Sequence, residues 1–256
     1  MSTEHSGVDG LPIALRALGL TCMLREYEAA ITRAEAENWG YRQFLHTLAE
    51  LEASERLRRK IQRLLDDSDL PPGISLMQLE QSKIPEKARR QLPTLLSGDF
   101  VRRGDNLLCF GLPGRGKSYY VAALARALIE QHQMKVLFVP TFRLVTQLIA
   151  AKRDLKLPGF LDRLDRYDAI VLDDVGYVQQ VAEEMEVLFT FFAHRYEQQK
   201  SLLITSNLVF SEWDKIFRNP MTTMAVVDRL VHRAIILEFR ASRSIREEMA
   251  AARKFD

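Results

Sequence analysis

The chain has 256 residues, 36 of them Lys or Arg and 34 Asp or Glu, giving a net charge of +2. With 47% hydrophobic and 27% charged residues it has the composition of an ordinary globular protein, which excludes disordered, collagen-like and disulfide-scaffold chains. A charge this balanced does not point to nucleic acid by itself, so any such function must rest on local patches. The longest unbroken apolar run, Tyr119 to Ala125, is far short of the roughly 20 residues of a membrane helix. The polar start, MSTEHSGVDG, lacks the pattern of a secretory leader. The expectation is a cytoplasmic protein without a membrane partner. Cys22 and Cys109 stand far apart, with no His at metal spacing, and read as small buried hydrophobes.

From residue 11 to 66, apolar residues recur at helical spacing through LRALGLTCML, FLHTLAEL and LRRKIQRLL. Gly19, Gly40 and the pair Trp39 and Tyr41 interrupt the pattern, which predicts about three helices rather than one rod. In the last of them Arg56, Arg59, Lys60 and Arg63 share a face, with Leu57, Ile61 and Leu64 opposite. Such a face suits phosphate contacts on duplex DNA. An ordinary solvated face compensated by Asp66, Asp67 and Asp69 has the same composition. The stretch DDSDLPPGIS, residues 66–75, reads as a connection because proline blocks helix continuation. A small all-helical domain is therefore expected over residues 1–70 and a second domain over 71–256. Lys87, Arg89 and Arg90 form a further basic cluster, and no base-reading module accompanies either.

Beyond the connection, short β-rich runs alternate with helical stretches: Asn106 to Phe110, Lys135 to Pro140, Ala169 to Leu172 and Leu202 to Ser206, with Ala234 to Phe239 as a fifth. This predicts an α/β fold, a parallel sheet buried on both faces by helices. Between the first strand and the helix SYYVAALARAL lies GLPGRGKS, residues 111–118, a full match to G-x-x-x-x-G-K-[ST] in the context that motif requires. Gly111, Gly114 and Gly116 let the backbone curl so that N–H groups point at phosphate oxygens, beside the positive end of the following helix. Lys117 supplies charge to the β and γ phosphates, and Ser118 a hydroxyl to Mg²⁺. The candidate ATP-binding set is Gly111, Pro113, Gly114, Arg115, Gly116, Lys117, Ser118 and Tyr119.

The third strand ends in Asp173 and Asp174. Asp173 is the candidate second metal ligand, and Asp174 the carboxylate that polarises attacking water. The fourth ends in Asn207, placed to hold that water or touch the γ-phosphate, although asparagine after a strand is often a turn former. Arg229 lies off the apolar stripe of VVDRLVHRA and reads either as a solvated arginine or as one that stabilises charge on a neighbouring subunit's nucleotide. Arg246, in SIREE, either reaches the γ-phosphate in cis or pairs with Glu247.

Taken with LPIALRALGLTCMLREYEAAI, RRKIQRLLDDSDLPPGISLMQLE, ITSNLVFSEWDKIF and VVDRLVHRA, the chain resembles the IstB proteins, ATP-binding helpers of bacterial insertion sequences related to DnaC and DnaA within the AAA+ ATPases. TSNLVFSEW carries the resemblance most specifically. It implies a P-loop AAA+ sheet with Lys117 and Ser118 as Walker A, Asp173 and Asp174 as Walker B, Asn207 as sensor 1, Arg229 as arginine finger and Arg246 as sensor 2. It also implies ATP-dependent homo-oligomers on duplex DNA that hydrolyse ATP, remodel target DNA and recruit and stimulate a partner transposase. Two positions depart from the AAA+ pattern: Asp174 stands where glutamate is usual and is one methylene shorter, and Arg115 puts a bulky cation inside the loop. A helicase loader acting on single strands and a P-loop small-molecule kinase are the competing readings.

Overall fold

The computed structural model describes residues 10–79, 84–177, 182–213 and 220–239. The chain divides into two compact units, one up to Arg63 and one from Leu64 onward. The division falls inside a helix, upstream of the acidic, proline-bearing stretch, because Leu64, Leu65, Leu70 and Ile74 pack against the core of the second unit.

The first unit is helical. α1 (Leu11–Ala17) carries Pro12 in its first turn, where a missing N–H costs nothing. Gly19, at φ +66°, turns the chain into α2 (Thr21–Ala36), and Asn38, at φ +54°, turns it again into α3 (Tyr41–Asp66). The residue before α2 is Leu20, whose side chain offers no cap. Instead Glu52 of α3 reaches across, its Oε2 accepting the N–H groups of Cys22 at 2.7 Å and Met23 at 3.0 Å. A buried carboxylate thus meets the positive end of α2. Arg56 holds the other oxygen at 2.9 Å and also donates to Gly19 O. Burial alone would raise the Glu52 carboxyl, but the hydrogen bonds from Met23, Arg56 and Cys22 prevail and hold it below the usual carboxylate range.

The second unit is a five-stranded parallel sheet between two helical layers. Its strands are β1 (Asn106–Phe110), β2 (Val136–Pro140), β3 (Ala169–Asp173), β4 (Ser201–Ser206) and β5 (Ala234–Glu238), ordered β2-β3-β4-β1-β5. All five expected strands are present, shifted by a residue at some ends. Alternate residues serve opposite faces, as the period of two requires. Leu107 and Cys109 face one layer, which holds α4 (Glu86–Leu96), the short α5 (Asp99–Arg102) and α6 (Lys117–His132). Leu108 and Phe110 face the other, with α7 (Thr141–Arg153), α8 (Leu157–Leu164), α9 (Ala182–Glu197) and α10 (Pro220–Val231). Covered on both sides, the strands can be near-continuous apolar runs. Cys22 and Cys109 are both buried free thiols.

Polar clasps fix the N-terminal edge of the sheet. Buried Asn106 donates to Leu230 O at 3.0 Å and accepts from Leu202 N–H at 2.9 Å, tying β1 to α10 and β4. Arg195, fully buried on α9, donates to Leu164 O, Ser201 O and Asp165, and burial pulls its pKa down to about 10. Among the described residues, no helix is long and apolar enough to cross a membrane.

Candidate functional site

In a parallel sheet every strand ends at the same edge, and that edge is where open α/β folds hold ligands. β1 enters the glycine loop there. Gly111 has φ +147°, and a Cβ on it would lie 2.5 Å from Phe239 O, so only glycine fits between the loop and the strand β5. Gly114 and Gly116 follow at φ +76° and +81°. The loop is anchored on both sides: Gly111 N–H donates to Ser206 O at 3.2 Å, and Phe239 N–H to Phe110 O at 2.7 Å.

Lys117 opens α6 and is buried, its Nζ folded back onto Gly111 O at 2.5 Å and Leu112 O at 2.9 Å. Ser118 follows and is exposed, while Leu112 and Pro113 form the exposed tip of the loop. Arg115 Nη1 is buried and has no hydrogen-bond partner among the described residues. An unsatisfied charged donor is destabilising, and an anion at the loop would relieve that penalty. Tyr119 turns its side chain elsewhere, its hydroxyl donating to Gln78 Oε1 at 3.1 Å.

The order of the strands puts β4 between the glycine-loop strand and the acidic strand. Thr205 of β4, 1% exposed, therefore sits beside both aspartates. Its hydroxyl donates to Asp173 Oδ1 at 2.7 Å and accepts from Asp174 N–H at 2.9 Å. Thr141, at the start of α7, donates to Asp173 O at 2.9 Å. Asp173 is thus aimed by its neighbours with Oδ2 left for a metal, an arrangement typical of carboxylate ligands. Asp173 and the Ser118 hydroxyl both lie at the ends of the strands and offer oxygen atoms of the kind Mg²⁺ takes. Asp174 sits at φ +63°, a left-handed conformation that aspartate tolerates better than most side chains. Asn207 follows β4 half-buried, its Oδ1 without a hydrogen-bond partner among the described residues.

Arg229 lies at the other end of the sheet. It occupies the last turn of α10, donates to Ala225 O at 2.9 Å and rests over the Phe189 ring at 5.5 Å. With Asn106, Lys200, Leu202 and Arg233 it lines a shallow cavity of about 220 Å³ among the starts of the strands. It cannot reach the glycine loop of its own chain. Arg246 lies outside the described residues.

In the helical unit, the four basic candidates are drawn into local structure to different degrees. Arg56 pairs with Glu52, and Arg59 with Glu55 at 3.2 Å and the Thr21 hydroxyl at 2.7 Å. Both side chains remain substantially exposed. Arg63 donates to Arg59 O, and Lys60 lies on the exposed side of the same helix. Leu57, on the face opposite the basic one, is exposed as well. In the other basic cluster Arg90 is paired with Glu86.

Sequence spacing did not reveal Thr205, Thr141 or Glu184. The first two act across strands that are distant in sequence. Glu184, in the first turn of α9, has Oε2 buried without a partner among the described residues, and burial holds its carboxyl above the usual range. No motif marks it.

A family model described as IstB-like ATP binding protein matches residues 13–251. An insertion sequence ATP-binding protein of Sinorhizobium fredii is 39% identical over 241 residues, covering 93% of this chain and 80% of that one. The ATP-binding protein of insertion sequence IS5376 from Geobacillus stearothermophilus is 30% identical, with 87% and 88% covered. Among solved structures, the DnaC helicase loader aligns with a TM-score of 0.53 at 21% identity, over 70% of this chain and 99% of that one. The replication initiator DnaA bound to AMPPCP and single-stranded DNA aligns with a TM-score of 0.57 at 14% identity, over 73% and 56%. At these identities the structural likeness speaks for the fold alone, a parallel sheet between helical layers with a glycine loop after its first strand.

Proposed function

The chain belongs to the IstB-like ATP-binding protein family, and we propose that it is an ATP-hydrolysing transposition helper that assembles on duplex DNA, remodels it and recruits and stimulates a partner transposase. The observation that carries the reading is the gathering of Lys117, Ser118, Asp173, Asp174 and Asn207 at one sheet edge, with Arg229 at the opposite edge. Such a division makes one subunit's nucleotide complete only when a second subunit docks against it.

Bound MgATP supplies the electrophilic γ-phosphorus, and the protein positions and neutralises charge around it. Loop N–H groups and Lys117 hold the phosphates. Lys117 Nζ now rests on two loop carbonyls, so turning it to phosphate exchanges neutral acceptors for charged ones. Ser118 and Asp173 would hold a Mg²⁺ that neutralises phosphate charge, the latter oriented by Thr205. Asp174 polarises the attacking water, and Asn207 directs its amide toward that water or the γ-phosphate. Arg229 enters from the neighbouring subunit, and Arg246 serves as sensor 2. The helical unit, with Arg56, Arg59, Lys60 and Arg63, grips DNA phosphates, so affinity falls as salt rises.

Electron microscopy of the protein with duplex DNA, with ATP and without, tests the proposal. Discrete particles are expected only with ATP and duplex, and a Lys117→Ala chain forms none. Particles indifferent to nucleotide, wild-type assembly by Lys117→Ala, or assembly on single strands in preference to duplex would overturn it, the last in favour of a helicase loader. A phosphorylated small product formed from ATP would instead mark a kinase.

A further inference from the structure

Past Asp173 and Asp174 the chain makes a short 3-10 turn, Val175–Tyr177, in which Gly176 faces the residue after β4. Gly176 has no positive φ, so its backbone is one any amino acid adopts, and the usual reason for a glycine is absent. Space is the reason here. A Cβ built on Gly176 would lie 1.9 Å from Asn207 Oδ1 and 3.0 Å from its Cγ. Ordinary contact begins near 3.4 Å, so the Asn207 amide would have to retreat by about 1.5 Å. The atom in the way is the end of a side chain, so the fold need not move, whereas the amide must.

That amide is held by little else. Its Oδ1 is buried without a hydrogen-bond partner among the described residues, so the bare main chain of Gly176 on one side is what locates it. We propose that Gly176 is a positioning residue for the hydrolytic step: the missing side chain sets where the Asn207 amide stands relative to the γ-phosphate. Gly176 belongs to the turn that begins right after the two aspartates, so a shift of that turn is passed to Asn207 by contact. The inference rests on the proposed role of Asn207 in ATP hydrolysis.

Four chains decide it: wild type, Gly176→Ala, Asn207→Ala and the double variant, each measured for phosphate release from ATP, for equilibrium binding of a fluorescent ATP analogue and for the unfolding midpoint. A misplacement on the scale of 1 Å reduces turnover on the order of tenfold to a hundredfold. Gly176→Ala is expected to lower kcat by that much, with analogue binding within about twofold of wild type and a midpoint near that of wild type, since what must yield is the end of a side chain rather than backbone. In the Asn207→Ala background, with no amide to displace, the alanine at 176 is expected to have no further effect. Full kcat in Gly176→Ala beside a slowed Asn207→Ala overturns the inference alone, as does a full additional loss in the double variant. Full kcat in both single variants overturns the role of Asn207 itself.

Discussion

Replacing Thr205 by valine separates the sheet from the site it serves. Valine keeps the branched Cβ and the strand preference of threonine, so the packing of a residue 1% exposed is little disturbed. What is lost is a hydroxyl that donates to Asp173 Oδ1 at 2.7 Å and accepts from Asp174 N–H at 2.9 Å. A hydrogen bond to an ionised carboxylate contributes about 1.5–3 kcal/mol, and an orphaned N–H adds a cost. Both aspartates are only half-buried, so water replaces part of the loss, and a net destabilisation of about 2 kcal/mol is expected. For a urea slope near 2 kcal/mol/M this lowers the midpoint by about 1 M. Trp213 is fully buried in the core beneath β1, and the other tryptophan, Trp39, lies in the helical unit. Fluorescence in a Trp39→Phe background therefore follows the sheet alone. In the same chains the Mg²⁺ concentration for half-maximal ATP hydrolysis is expected to rise about 10- to 100-fold, the usual cost of losing a residue that orients a metal ligand. An unchanged Mg²⁺ requirement at a lowered midpoint would refute the orienting role and leave Thr205 a structural residue.

Glu52→Gln is expected to loosen the start of α2 by about 1–2 kcal/mol, read as faster amide exchange at Cys22 and Met23, because an amide caps the helix without charge and leaves Arg56 unpaired. The folded Glu52 carboxyl lies below its ordinary value, so its stabilisation is fully present above that ordinary value and is lost as pH falls through the lowered one. Acid titration followed by circular dichroism should show the wild-type helices failing more steeply than those of the variant at that low-pH end, and parallel curves would disprove the cap. Arg229→Ala is expected to leave the chain's own nucleotide affinity within about twofold while reducing hydrolysis by assemblies about 10³-fold or more. Mixing it with Lys117→Ala should restore part of the activity, because some junctions then unite an intact loop with an intact arginine; a dead mixture would place Arg229 outside the reaction.

The parallel sheet and the glycine loop were readable because both are local: apolar runs bounded by turns, and a spacing of glycines ahead of a helix. Asp173, Asp174 and Asn207 were readable for a related reason, as polar residues terminating apolar strands. Thr205 was not, since its meaning depends on β4 lying between β1 and β3, and strand order is a long-range property. Gly176 escaped because its neighbour is 31 residues away in the chain yet within reach of a single methyl group. The basic face of α3 shows the opposite difficulty. The helical spacing of Arg56 and Arg59, and their i,i+4 pairing with Glu52 and Glu55, lie within one helix and are legible in the sequence, but the contacts of Arg59 with Thr21 and of Arg56 with Gly19 O arise where helices meet, which no single-helix pattern records.

The separation of Arg229 from the glycine loop by the full length of the strands has a consequence for how copies associate. If Arg229 serves the loop of a second copy, as proposed, a head-to-tail junction joins the two patches once. A row built from such junctions has polarity. An open row of such subunits always carries one terminal loop that no arginine reaches and one terminal arginine with nothing to serve, whereas a closed ring has neither. Turnover per subunit then becomes a report on the number of ends: low in short rows, rising as rows lengthen and highest on closure.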